Sequence, residues 1–313
     1  MSLNDSRPAC VGMYGFCRPV FHWTCETASG TDQGGQRPYY GGATMSDTNG
    51  APARKLAIEV RDLHKAFGGQ QALRGVDLAV PEGTTCVLMG ISGSGKSVLM
   101  KHIMGLLRPD RGTVLVEGQD VASLDEAALN QLRRKLGILF QANALFDSLT
   151  VFDNVAFPLR ERTRMPEPEI QETVNATLAK VGLSHAVTRF PGELSGGMQK
   201  RVGFARATIL QPRILLYDDP TAGLDPLTTA AVNEIIFTGK QQLGATSLVI
   251  TPDVGSAFGM ADHLALMDEG RVVEYGPPEA FRESQHPAVK AFLRNWLARR
   301  SKNRTPPEGA GAA

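Results

Sequence analysis

The residues with the plainest chemistry form one short run, Gly90, Ile91, Ser92, Gly93, Ser94, Gly95, Lys96 and Ser97, which fits the pattern G-x-x-x-x-G-K-S. Glycines in such a run let successive backbone N–H groups turn inward around an anion, and a helix opening directly after them adds the positive end of its dipole. Lys96 then suits the β- and γ-phosphates of a nucleoside triphosphate, and the Ser97 hydroxyl suits Mg²⁺. A carboxylate for that ion should end a hydrophobic strand on the same sheet edge, and Ile214, Leu215, Leu216, Tyr217 and Asp218 supply it.

Several elements must position these groups. "TTCVLM" at 84–89 reads as a buried strand, followed by the glycine-rich turn and a helix with Leu99, Ile103, Leu106 and Leu107 on one face. Upstream, "LAIEVRDLHKAF" and "GVDLAV" alternate like half-buried antiparallel strands around the turn "FGGQ". "TVLVEG" at 113–118 and "LGILFQ" at 136–141 predict further strands, and residues 147–185 carry helical periodicity interrupted by "MPEPE". "ILLYDD" at 214–219, "TSLVI" at 246–250 and "HLALMDEG" at 263–270 alternate with helices, which predicts an α/β fold with a mostly parallel core sheet. In "HPAVKAFLRNWLARR", residues 286–300, Val289, Phe292, Leu293, Trp296 and Leu297 fall at helical spacing. That helix is expected to pack back on its own domain; docking to a partner or a membrane surface is the alternative.

Residues 1–52 are rich in Gly, Ser, Thr and Pro without an apolar period, and residues 301–313 are polar, so both are expected to be disordered. That leaves a domain over 53–285 and the helix 286–300. The chain has 313 residues, 42% of them apolar, enough for a substantial core. Its 33 Lys and Arg nearly balance 32 Asp and Glu, which argues against nucleic acid as a partner and against a polybasic membrane anchor. No run approaches the roughly 18 apolar residues that cross a bilayer, and the N-terminus lacks a signal-peptide pattern. The expected location is therefore the cytoplasm, with any membrane role exercised through another subunit. Cys10, Cys17 and Cys25 match no common zinc spacing and read as incidental thiols, whereas Cys86 reads as strand core.

Between the two phosphate and metal motifs stands "ELSGGMQKRVGFARA", and the second motif runs on as "DDPTAGLDP". With these segments the chain resembles the ATP-binding cassette (ABC) ATPases over about residues 56–280. The resemblance implies a P-loop NTPase fold with a RecA-like core, an antiparallel β subdomain and an α-helical subdomain, acting on ATP with Mg²⁺. Leu194–Met198 stands at the signature, with Met in its last place; Ser195 reads as a helix N-cap, and Gly196 and Gly197 allow backbone N–H groups close to an anion. By resemblance that anion is the γ-phosphate of ATP on the opposite subunit. Gln141 matches the Q-loop glutamine, which senses Mg²⁺ and the membrane subunits, and Asp225 matches the D-loop aspartate at the dimer interface. Phe67 in "HKAFGG" occupies a position where an aromatic ring stacks on adenine, a core phenylalanine being the alternative.

Within that family "SGSGKSVLMKHIMGLLRPDRG", "LFQANALFDSLTVFDNVAFPLRE" and "SGGMQKRVGFARA" are similar to the ATPases of Mla-type phospholipid transporters. The likeness implies a glycerophospholipid cargo and a homodimer docked on an integral-membrane permease at the cytoplasmic face of the inner membrane. It further implies a periplasmic lipid-binding subunit and a small cytoplasmic regulatory subunit. Ala144–Glu161 lies where the family receives a coupling helix of the permease; Phe146 and Phe152 are expected to be exposed there, a buried helical face being the alternative.

Two positions depart from the family. Asp219 stands where the catalytic base is normally Glu, one methylene longer, and a misplacement of roughly 1 Å can cost about 100-fold in rate. Pro252 stands where a switch histidine contacts the γ-phosphate, and it offers neither a side-chain donor nor a backbone N–H. His263, beyond an intervening helix, is the candidate substitute. Two readings follow: an ATPase in which Asp219 and Gln141 orient the water, or a hydrolysis-poor subunit lending its signature to a competent paralogue. The first is the expectation. An ABC protein of translation or DNA repair needs tandem cassettes or a long coiled-coil insertion, and the sequence has neither. Met45 opens "MSDTNGAPARKLAIEV", which resembles the natural start of such a domain, residues 1–44 then being an upstream extension.

Overall fold

The computed structural model describes residues 55–302. The expectations for residues 1–52, including three of the cysteines and Met45, and for the tail beyond 302 lie outside that range. Two long strands, β1 (Leu56–Phe67) and β2 (Gln70–Pro81), pair antiparallel across a turn in which Gly68 and Gly69 both take positive φ. β3 (Thr85–Met89) and α1 (Lys96–Ile103) flank the glycine-rich run. β4 (Arg111–Val116) and the short β5 (Gln119–Asp120) return to the opening hairpin and complete a four-stranded antiparallel sheet in the order β2-β1-β4-β5. The strand expected over 113–118 starts earlier and stops at Val116, where Glu117 and Gly118 turn the chain with φ of 49° and 77°.

α2 (Glu126–Arg133) and β6 (Leu136–Leu139) lead into a helical layer of α3 (Val151–Arg162), α4 (Glu167–Lys180) and α5 (Gly196–Thr208). The chain then alternates through β7 (Ile214–Asp218), α6 (Pro226–Leu243), β8 (Thr246–Ile250), α7 (Val254–Met260) and β9 (His263–Asp268). It ends with β10 (Arg271–Gly276), α8 (Pro278–Glu283) and α9 (Pro287–Lys302). The second sheet has six strands in the order β10-β9-β3-β8-β7-β6, parallel throughout except for the β9–β10 hairpin. β10 was not legible as a separate strand; it follows from a tight turn at Glu269 and Gly270, with φ of 44° and 78°.

All of β3 is buried, as a central parallel strand covered on both faces must be. Its alternation divides the core. Cys86 and Leu88 join the cluster formed with the antiparallel sheet and α1, while Val87 and Met89 join the cluster formed with α3 to α7. α9 packs onto this second cluster through buried Val289 and partly buried Phe292, Leu293 and Trp296, leaving Leu297 exposed. No described helix is long and apolar enough to cross a membrane.

Candidate functional site

The glycine-rich loop leaves the C-terminal end of β3, the edge at which open α/β sheets bind ligands. Gly90 has φ 149°, and a Cβ there would sit 2.2 Å from the Met267 carbonyl oxygen, so no other residue fits. Gly93, by contrast, has φ 83° and open space around it. The Lys96 ammonium donates to the Gly90 and Ile91 carbonyls at 2.9 and 2.7 Å and to Ser94 Oγ at 3.2 Å, which wraps the loop around its own cation. Burial pushes the Lys96 pKa down, and Asp218 and Asp219 act to raise it. α1 begins after Gly95 with no side-chain cap, whereas Asp125, Thr150, Ser195, Asp225 and Asp253 cap α2, α3, α5, α6 and α7. The first N–H groups of α1 are thus left for an anion.

Asp218 ends β7, and the Ser97 hydroxyl donates to its carboxylate. The structure therefore joins two of the three residues expected at Mg²⁺, the hydroxyl of Ser97 and the carboxylate of Asp218, beside the loop. These hard oxygen donors fit Mg²⁺ in company with phosphate oxygens. Burial is the main cause that raises the pKa of both Asp218 and Asp219. Asp219 takes a left-handed backbone, φ 44°, and its N–H donates to the Ile250 carbonyl at 2.8 Å, so the chain leaves the strand sharply at the candidate base.

Gln141 is exposed, and what the fold holds is its backbone. The carbonyl of Gln141 accepts from the Lys200 ammonium at 2.5 Å, and Lys200 on α5 is only 3% exposed. Asn143 and Ala144 follow with φ of 61° and 47°, and the Arg206 guanidinium donates to both of their carbonyls at 2.8 Å. Further along the same loop, fully buried Asn154 accepts from the Phe146 N–H at 2.8 Å and donates to the carbonyls of Phe146, Leu149 and Thr150 at 3.0 to 3.1 Å. Lys200, Arg206 and Asn154 were missed in the sequence. For Lys200 a signal existed: Gly197, Lys200 and Phe204 lie on one buried helical stripe, where lysine is out of place.

Ser195 caps α5, accepting from the Met198 N–H at 3.3 Å, as expected from sequence. Gly196 is exposed, but Gly197 is buried, and a Cβ on it would meet the Thr228 methyl at 2.4 Å. Its small size therefore serves contact with α6 in this chain. Asp225 caps α6 by accepting from the N–H groups of Leu227 and Thr228, both at 3.0 Å, beside Leu227, which is 82% exposed. Phe67 is 48% exposed at the end of β1 and not a core residue, with the Lys65 ammonium 5.6 Å from its ring centroid.

Other expectations are revised. Phe146 is exposed, but Phe152 packs partly buried against the core with the Arg160 guanidinium over its ring; Phe157 is the exposed ring, 4.9 Å from Phe146. The cause is the face of α3: Phe152 lies near the buried stripe of Val155, Ala156 and Leu159, and Phe157 lies away from it. His263 starts β9 in register with Cys86 and stacks on Tyr275, at the opposite end of the strands from the loop, so it does not substitute for a histidine at 252. Pro252 is followed by Asp253, which caps α7 and accepts from the indole N–H of Trp296 on α9 at 3.4 Å.

Comparison with known proteins adds to this geometry. Residues 73–222 match the profile of the family described as ABC transporter. A Mycobacterium leprae protein named "Probable ribonucleotide transport ATP-binding protein mkl" is 43% identical over 238 residues, 76% of this chain and 69% of that protein. The Escherichia coli K12 protein named "Intermembrane phospholipid transport system ATP-binding protein MlaF" is 36% identical over 236 residues, 75% of this chain and 88% of its own. Among solved structures, the ATP-binding cassette MJ0796, a dimer in a post-hydrolysis state bound to ADP and Pi, superposes with a TM-score of 0.66 at 30% identity, over 71% of this chain and 98% of that one.

Proposed function

This chain belongs to the ABC transporter family of ATP-binding proteins, ATPases coupled to transport, and on that footing we propose that it drives a phospholipid transporter of the Mla type. The likeness to MlaF, spanning 88% of that protein, is the observation that carries the cargo. In this reading adenine stacks on the exposed ring of Phe67. The phosphates lie in the loop from Gly90 through Ser92, Gly93, Ser94 and Gly95, on Lys96 and the open N-terminus of α1. Ser97 and Asp218 hold Mg²⁺, with Gln141 beside them, and the ion when bound neutralises charge on the phosphates.

Asp219 acts as the base. Water attacks the γ-phosphorus, the bond to the leaving ADP oxygen breaks, and the Asp219 carboxylate takes the proton while Gln141 orients the water. Burial raises the basicity of Asp219, which brings its pKa nearer the working pH and strengthens it as a proton acceptor. Lys96 stabilises the charge on the transferring group. A second copy supplies Ser195, Gly196 and Gly197 to the same γ-phosphate, with Asp225 at the interface. A permease docks at the exposed rings of Phe146 and Phe157. A periplasmic lipid-binding subunit and a small cytoplasmic subunit complete the assembly on the cytoplasmic face of the inner membrane. Pro252 supports a second reading, a hydrolysis-poor subunit paired with a competent paralogue.

The cargo is tested with the chain and its permease in liposomes, following fluorescent phospholipid and labelled ribonucleotide in parallel. ATP-dependent movement of phospholipid, lost in Lys96→Ala, is the expected result. Movement of ribonucleotide without phospholipid overturns the cargo assignment.

A further inference from the structure

We infer that Lys200 is a positioning residue for hydrolysis: together with Arg206 it clamps the backbone of the Gln141 loop to the signature helix, so that the glutamine and the signature move as one body. A lysine at 3% exposure is unfavourable unless its charge is used. Here its ammonium donates to the Gln141 carbonyl at 2.5 Å. The same charge acts on Asp219 and Asp218, so one cation joins the loop that carries the glutamine to the carboxylate pair.

Arg206 grips the other side of the loop. Its guanidinium holds two successive carbonyls, those of Asn143 and Ala144, at 2.8 Å each. Both residues are left-handed, a conformation that alanine in particular adopts only when neighbouring contacts impose it. Beside Lys200, the Gln199 side chain on α5 accepts from Asn143 Nδ2 at 3.4 Å. Two places on α5, Gln199 with Lys200 and then Arg206, thus meet residues 141, 143 and 144, while Arg206 also lies 5.8 Å from the centroid of Phe146, the exposed ring proposed to meet the permease. Displacement at Phe146 is thereby passed to Gln141 through α5, which begins at Ser195 and the signature.

The test compares Lys200→Met, Lys200→Arg and Arg206→Lys in the full chain purified with its permease. It follows ATP turnover, ATP affinity, thermal unfolding and amide hydrogen exchange over residues 141–150. Lys200→Met should lower kcat at least about 10-fold with KM for ATP within about twofold, and speed exchange across 141–150 but not across 90–97. Because the Gln141 carbonyl loses its donor, the unfolding midpoint should fall by roughly a few degrees; a fall in midpoint without the localised exchange and the loss of kcat is what a merely structural lysine would give, and it overturns the clamp. Lys200→Arg should recover most of the turnover. A folded Lys200→Met with turnover and exchange both unchanged overturns the clamp; so does loss of ATP affinity in step with kcat that Lys200→Arg fails to restore. Should Lys200→Met not fold, Arg206→Lys carries the same criteria. The exchange measurement stands even if the wild type proves unable to hydrolyse ATP, which separates failure of the clamp from failure of the ATPase reading.

Discussion

The loop from Gly90 to Ser97 and the corner of Gln141, Asp219 and Pro252, which we propose to serve one phosphate, are built in different ways. The loop is closed on itself: the Lys96 ammonium bonds to Gly90, Ile91 and Ser94, all within six residues, and its carboxylate partner Asp218 is joined directly through Ser97. The corner is assembled from separate segments, each held from elsewhere. Gln141 is held by Lys200 of α5, Asp219 by the Ile250 carbonyl of β8, and Pro252 precedes a cap that α9 touches through Trp296. The contrast teaches why the departures from the family fall where they do. A closed loop tolerates little change at its close contacts, Gly90 above all, whereas a corner of independently held residues can exchange one of them and keep the grip on nucleotide.

The contrast is sharpest at Lys96. Lys96→Ala should cut ATP turnover by about 100- to 1,000-fold, measured at saturating ATP, because it removes the loop's own cation and a donor to the transferring phosphoryl group. Gly90→Ala should come next. With the Met267 oxygen 2.2 Å from the new Cβ, the loop must shift, at a cost of about 3 kcal/mol or a lowering of the unfolding midpoint by roughly 10 °C. Gly93→Ala, with open space and only its φ to strain it, should cost about 1 kcal/mol; equal effects in calorimetry would break the argument that the loop is closed by close contact. In the corner, Pro252→His should raise turnover about 10-fold while changing ATP affinity less, since a donor is added to a site already formed.

The smallest effect is expected at Asp225. Its carboxylate is held below the ordinary value of 3.8, first by the Thr228 hydroxyl and then by the N–H groups of Thr228 and Leu227. A carboxylate whose folded pKa is depressed stabilises the fold above its unfolded value and loses that contribution as pH falls through the folded one. Asp225→Ala should therefore lower the unfolding midpoint slightly at pH 7, and the gap from wild type should close below pH 3.8.

The same contrast governs what could be read from sequence. The strand, loop and helix around Gly90–Ser97 were legible because their chemistry is set by neighbours in the chain, and the parallel strands were legible from continuous apolar runs such as "TSLVI". Asn154 was not legible: an asparagine in α3 is fully buried because the loop from Phe146 to Thr150 folds over it, a tertiary fact with no local signal. Phe152 and Phe157 could have been sorted, since Phe152 stands three and seven residues before the buried Val155 and Leu159. Lys200 was readable as a position on the buried stripe of α5, although it stands just after the signature.

The central claim is that a corner with Asp219 for Glu and Pro252 for His still hydrolyses ATP. It is tested most directly by steady-state turnover of the chain purified with its permease and no paralogous ATPase, comparing wild type with Asp219→Asn. Turnover by the wild type, falling about 100-fold or more in Asp219→Asn with ATP binding retained, is the predicted result. A wild type that binds ATP without turning it over, and gains activity only when a paralogous ATPase is added, would contradict it.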